Sequence, residues 1–92
     1  MSEIEVTHKI LTENLGYIFV DEFSRSGSDI NLYKYRKVYI SGGSYTYQDY
    51  SFYGNYKTGL VSTMCIDLDD IDNFNKIKKE FIRENSLNLL LD

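Results

Sequence analysis

Between residues 33 and 56 the chain alternates tyrosine with polar, basic or small residues. A period of two is the pattern of β-strands, whose side chains point to opposite faces of a sheet. Ile30 to about Ser41 reads as one strand, Gly42-Gly43 interrupts it, and Tyr45 to Tyr53 reads as the next. Gly54-Asn55 carries a two-residue hairpin signal, so Tyr56 to Asp67 follows as a further strand with a candidate bulge at Gly59. Upstream, the β-branched and aromatic segment Tyr17 to Phe23 predicts a strand, and Ser24 to Asp29 predicts the turn after it. Residues 3 to 10 set Ile4, Val6, His8 and Ile10 opposite Glu3, Glu5, Thr7 and Lys9, which favours an opening strand turned at Asn14 to Gly16. A helix competes for this segment, because Ile4, His8, Leu11 and Leu15 also fall at helical spacing, with Gly16 as a C-terminal stop.

Near the C-terminus the period changes. Ile71, Phe74, Ile77, Phe81 and Ile82 form one helical stripe. Asp69 or Asp70 is placed to cap it, Asp72 sits in its first turn, and Lys76, Lys78, Lys79 and Arg83 follow, an order of charges that complements the helix dipole. The apolar tail SLNLLLD is expected to dock against the sheet. The pattern as a whole predicts a single α+β domain over residues 1–92, with an antiparallel sheet of four to five strands and one amphipathic helix near residues 70 to 84. Val6, Phe19, Ile66, Phe74, Ile77 and Phe81 are the expected core.

Composition narrows the class. Ninety-two residues, 42% of them hydrophobic, suffice for one modest core. No apolar run is long enough for a membrane span and the N-terminus is charged, so a cytosolic protein is expected. The single cysteine, Cys65, cannot form an intrachain disulfide and reads as a small buried hydrophobe in a strand. The net charge of −4 argues against general attraction to nucleic acid or anionic lipid.

Candidate chemistry is sparse. One histidine, His8, and one cysteine leave little with which to assemble a nucleophile and its base, so no catalytic residue, metal or cofactor is expected. The acidic run from Asp67 to Asp72 fails as a calcium loop. Counted from Asp67, the fifth residue is Ile71, the sixth is Asp72 in place of glycine, and the twelfth is Lys78 in place of glutamate. Gly54 and Gly59 have phosphate-loop spacing, but Leu60 and Val61 stand where lysine and a hydroxyl residue are required.

What remains is an aromatic surface. Eight of the nine tyrosines lie between Tyr33 and Tyr56, interleaved with small hydrogen-bonding residues, the composition that gives contact area at low entropic cost. Tyr45, Tyr47, Tyr50, Tyr53 and Tyr56 are therefore the candidate protein-binding residues, with Asp67, Asp69, Asp70 and Asp72 as an acidic contribution. Two rival surfaces stand beside them. Tyr33, Tyr35, Lys37 and Tyr39 share one face of a strand and could stack and neutralise single-stranded nucleic acid, although only one cation joins that row. The Ser24 to Ser28 loop offers Arg25 and hydroxyls to a nucleotide or other small ligand. Direct nucleic-acid binding is disfavoured by charge, and a homodimer through the hairpin or the tail stays open.

In size, acidity, A/T-rich-codon composition and layout, with DLDDID and the Tyr45 to Tyr56 segment carrying the likeness, the chain resembles the small phage-encoded inhibitors of bacterial defence, anti-CRISPR proteins among them. That resemblance implies a non-enzymatic inhibitor in the host cytoplasm that occludes a larger partner, such as a nucleic-acid-handling defence complex. It assigns no residue.

Overall fold

The computed structural model describes residues 2–85, and the expected docking of the apolar tail lies outside them. Two helices pack on one face of a four-stranded antiparallel sheet whose strand order follows the sequence, β1-β2-β3-β4.

The chain opens as a helix, α1 (Glu3–Lys9), which runs on into a π-helical turn over Ile10–Asn14. The strand favoured by alternation is thus corrected, and the reason is local. Ser2 Oγ accepts the Glu5 backbone N–H while the Glu5 carboxylate takes the Ser2 backbone N–H, a reciprocal cap that satisfies donors only a helix start leaves free. The helix then buries Val6, Thr7, Ile10 and Leu11, a stripe that alternation would have split between two faces.

The strands are β1 (Ile18–Ser24), β2 (Ile30–Ser41), β3 (Ser44–Asn55) and β4 (Leu60–Cys65). The tight turn of the β2–β3 hairpin is Gly42-Gly43, both with positive φ (57° and 83°), closing on the Ser41–Ser44 pair. Two adjacent left-handed residues match the twist of the flanking strands. Gly54-Asn55, in contrast, stays inside β3, and the chain turns one step later, through Tyr56 to Gly59. The Asn55 side chain organises that turn by accepting the backbone N–H groups of Lys57 and Thr58. The irregularity in the β3–β4 ladder falls between Tyr53 and Gly54. Gly54 is there because Ile4 of α1 lies on it: a Cβ would sit 2.7 Å from the Ile4 side chain.

Asp67 caps a 3₁₀ turn (Leu68–Asp70) by accepting the Asp69 N–H, in place of the expected Asp69 or Asp70 cap, and leads into α2 (Ile71–Asn85). The core joins Val6, Ile10 and Leu11 to Tyr17, Tyr33, Tyr35, Phe52, Ile66 and Phe74, with Ile77 and Phe81 packed against it. Phe19, expected in that core, is 41% exposed. It lies on edge strand β1, with no described strand beyond it, and packs against the rings of His8 and Tyr35.

The neighbours of the central hairpin are shorter than it is. β1 reaches only Arg36 on β2, and β4 reaches only Ser51 on β3. Lys37 to Gln48 therefore runs on as a two-stranded arm in a flat molecule of 47 × 36 × 17 Å.

Candidate functional site: the open face of the sheet

Strand register sorts the tyrosines into two rows. Asn31, Tyr33, Tyr35, Lys37 and Tyr39 of β2 share the helix-covered face with Phe52, Tyr50, Gln48 and Thr46 of β3. The opposite face carries Leu32, Lys34, Arg36, Val38 and Ile40 across from Tyr53, Ser51, Asp49, Tyr47 and Tyr45. Ile18 and Phe23 of β1 extend this second row. No element packs on it among the described residues, and its apolar groups stand in solvent: Ile40 is 78% exposed, Tyr45 75% and Tyr47 61%.

A charged cluster occupies the middle of the open face. Arg36 donates to Asp49 through Nε (2.8 Å) and Nη2 (3.3 Å), and Lys34 Nζ stands 3.4 Å from the same carboxylate. The bond from Arg36 keeps the Asp49 carboxyl below its ordinary range. The guanidinium also lies over the Tyr47 ring, 4.0 Å from its centre, and so steadies that ring. Both cations are thus already engaged. The face offers aromatic and aliphatic area on either side of a paired charged centre.

The covered face has a different chemistry. Tyr39 Oη lies 2.6 Å from both Tyr50 Oη and Asp67 Oδ2. Lys37 Nζ binds Asp67 (3.0 Å) and Asp70 (2.6 Å), and Tyr17 donates to Asp70 (2.7 Å) while accepting the Asp67 N–H. This network ties the start of α2 to the sheet. Burial works against the Lys37 ammonium, yet its bonds to Asp70 and Asp67 outweigh that and raise its pKa. The Tyr39 hydroxyl, helped by the Asp69 N–H and Lys37, holds Asp67 down to about 2. Desolvation raises the Tyr17, Tyr35 and Tyr39 phenols, which stay protonated as donors.

Several expected site residues are accordingly reassigned. Tyr50, Asp67 and Asp70 belong to the covered network, and the two carboxylates keep only 15% and 16% side-chain exposure. Asp69 and Asp72 are exposed, as an acidic contact requires. Tyr45, Tyr47 and Tyr53 meet on the open face, while Tyr56 is exposed in the turn beyond it. Of the rival nucleic-acid row, Tyr33 and Tyr35 are buried against Phe52, and Lys37 and Tyr39 are held by the aspartates, so this row presents no stacking platform. Packing by α1 is the cause. Arg25 lines a shallow cavity of about 510 Å³ with Phe23, Ser24, Ser28, Ile30, Leu32 and Tyr53, contiguous with the open face. His8 bonds Tyr35 at 2.7 Å on the covered side, whereas Cys65, expected to be buried, is exposed at the end of edge strand β4, so the two do not form a pair.

Sequence reasoning missed Ile18, Phe23, Arg36, Val38 and Ile40 as members of the surface. The signal was present, since Val38 and Ile40 alternate with the tyrosines of β2 and so share a face with the opposite tyrosines of β3. No helix among the described residues is long and apolar enough to cross a membrane. No family model, curated protein or solved structure matches this chain.

Proposed function

We propose that the protein is a non-enzymatic binder that occludes a larger protein partner with the open face of its sheet. The observation that carries this reading is the exposed row of Ile40, Tyr45, Val38 and Tyr47, continued by Tyr53 and Phe23, on a face that no element covers among the described residues. Exposed apolar patches of this kind mark contact sites. Rigid rings steadied by neighbours such as Arg36 lose little entropy on binding. The net charge of −4, to which exposed Asp69 and Asp72 on the helix side contribute at long range, favours a basic partner, and the likeness to small anti-defence inhibitors suggests a nucleic-acid-handling defence complex as its class.

The Arg25 cavity supports a second reading, a small anionic ligand with an apolar body seated between Arg25 and the Phe23, Leu32 and Tyr53 side chains. One experiment separates the two. The wild-type chain and a Tyr45→Thr/Tyr47→Thr variant are immobilised and exposed to nuclease-treated lysate of a low-GC bacterium, while both are titrated with single-stranded oligonucleotides and nucleotides. A discrete partner retained by the wild type and lost by the variant is the expected result. Equal retention by both overturns the reading, as does micromolar oligonucleotide binding. A nucleotide that raises the melting temperature only while Arg25 is present replaces it with the small-ligand reading.

A further inference from the structure

From Val38 to Gln48 the arm contains no charged residue, no proline and no bulge. Sheet edges are normally guarded by one of these devices, because an unpaired row of N–H and C=O groups is a template for another strand. Here the outer edge of β3 is unguarded: β4 pairs no further than Ser51, and no described strand continues beside Ser44 to Gln48.

The direction of the free groups follows from the turn. With Gly42-Gly43 as a two-residue loop, Ser41 and Ser44 are a hydrogen-bonded pair, and bonding pairs recur every second residue along the hairpin. Ser44, Thr46 and Gln48 therefore bond to β2, while the backbone groups of Tyr45 and Tyr47 point away from it. The segment Ser44-Tyr45-Thr46-Tyr47-Gln48 is also self-complementary. Laid antiparallel on its own copy about a two-fold axis at Thr46, it sets Thr against Thr, Tyr45 against Tyr47, and Ser44 against Gln48. Thr–Thr and aromatic–aromatic are favourable cross-strand pairs, and no charge opposes another. Tyr45 and Tyr47 are also the two residues whose free N–H and C=O groups would be exchanged in that register.

We infer that the β3 edge of the arm pairs with the same edge of a second copy, forming a weak two-fold dimer in which the two sheets become one. The contact uses backbone groups at the edge and leaves the open face free, so it stands or falls independently of the partner reading. It would bring the Tyr45 and Tyr47 rings of both copies into one continuous aromatic row.

Thr46 is the residue to test, because its side chain is exposed in the monomer and meets itself at about 4.5 Å between Cα atoms in the dimer. Sedimentation of the full chain from about 10 µM to about 1 mM, the range set by so small a contact, is expected to show a rise toward twice the monomer mass. Thr46→Lys and Thr46→Glu, each alone, are expected to stay monomeric through like-charge opposition, and an equimolar mixture is expected to regain the dimer as a heterodimer. A wild type that stays monomeric throughout overturns the inference. So does a Thr46→Lys variant that dimerises like the wild type, or a mixture that does not recover association.

Discussion

The two faces of the central hairpin carry tyrosines on the same two strands, yet they do opposite things. On the covered face, Tyr33 and Tyr35 are buried, stacked beside Phe52 with ring centres 4.8 and 5.6 Å away, and Tyr39 and Tyr50 share a hydrogen-bonded network with Lys37, Asp67 and Asp70. On the open face, Tyr45, Tyr47 and Tyr53 cover nothing but the sheet itself. A phenol is amphipathic, and burial decides which half of it is used. Beneath α1 and α2 the ring fills the core and the hydroxyl finds a fixed partner. On the open side the ring is left as contact area. The contrast can be attacked by substitutions on each side, and the stability effects should fall in order from the covered core to the exposed row.

The largest effect belongs to Phe52, which is fully buried between Tyr33 and Tyr35. Phe52→Ala is expected to cost about 3–5 kcal/mol, most of what a domain of this size has in reserve. Urea denaturation followed by circular dichroism measures it, and a variant with an unchanged midpoint would break the distinction between the faces. Next comes Gly54→Ala. Its added methyl group meets the Ile4 side chain at 2.7 Å and the Tyr33 ring at 3.3 Å, so the Ile4 side chain must move out of its place against the sheet. Overpacking of this kind costs about 1–3 kcal/mol, and a compensating Ile4→Val substitution should recover part of it.

Tyr39→Phe probes the network and has a smaller effect. It removes the bonds to Asp67 and Tyr50 while keeping the ring, and the site is part-exposed, so about 1 kcal/mol is expected at neutral pH. The pH dependence gives the sharper measurement. Asp67 is held at about 2 in the folded protein against an ordinary 3.8. Because the folded value is the lower one, its contribution is fully present above the ordinary value and is lost as pH falls toward 2. Without the Tyr39 hydroxyl the carboxyl should return toward its ordinary value, flattening the acid limb of the stability curve between those limits. Carboxyl titration by NMR reports the same shift site by site.

Much of this arrangement was legible in the residues. The strand pattern, the Ile71, Phe74, Ile77 and Phe81 stripe and the Gly42-Gly43 break all correspond to elements of the fold. The opening helix was the costly miss, since EIEVTHKI satisfies a period of two as well as a helical one, and the deciding Ser2–Glu5 cap lies at its margin. With α1 unplaced, nothing in the sequence says which tyrosine row is covered. The same uncertainty explains why Asp67 and Asp70 read as free acidic groups: their partners, Tyr17, Lys37 and Tyr39, are brought to them only by the packing of α2 against the sheet. Gly54 reads as a turn residue for a related reason, because its true constraint is Ile4, fifty residues away in sequence.

The smallest stability effect should come from the residue with the largest proposed role in binding. Tyr45 is 75% exposed and faces Ile40 across the arm, beyond the reach of β1 and β4. Threonine, like tyrosine, favours an extended backbone, so replacing the exposed ring should change stability by no more than about 0.5 kcal/mol. Adding Tyr47→Thr removes the ring beneath which Arg36 sits, and an exposed cation–π contact contributes on the order of 0.5–1 kcal/mol. The double variant should therefore lose at most about 1.5 kcal/mol, well short of Phe52→Ala, while losing its partner, since exposed aromatic anchors contribute to binding more than to the fold. Unfolding midpoints and partner retention measured on the same preparations decide it. A double variant destabilised as severely as Phe52→Ala would show that the open row supports the fold, and the comparison between the faces would collapse. A stable variant that has lost its partner would locate binding on the uncovered tyrosines.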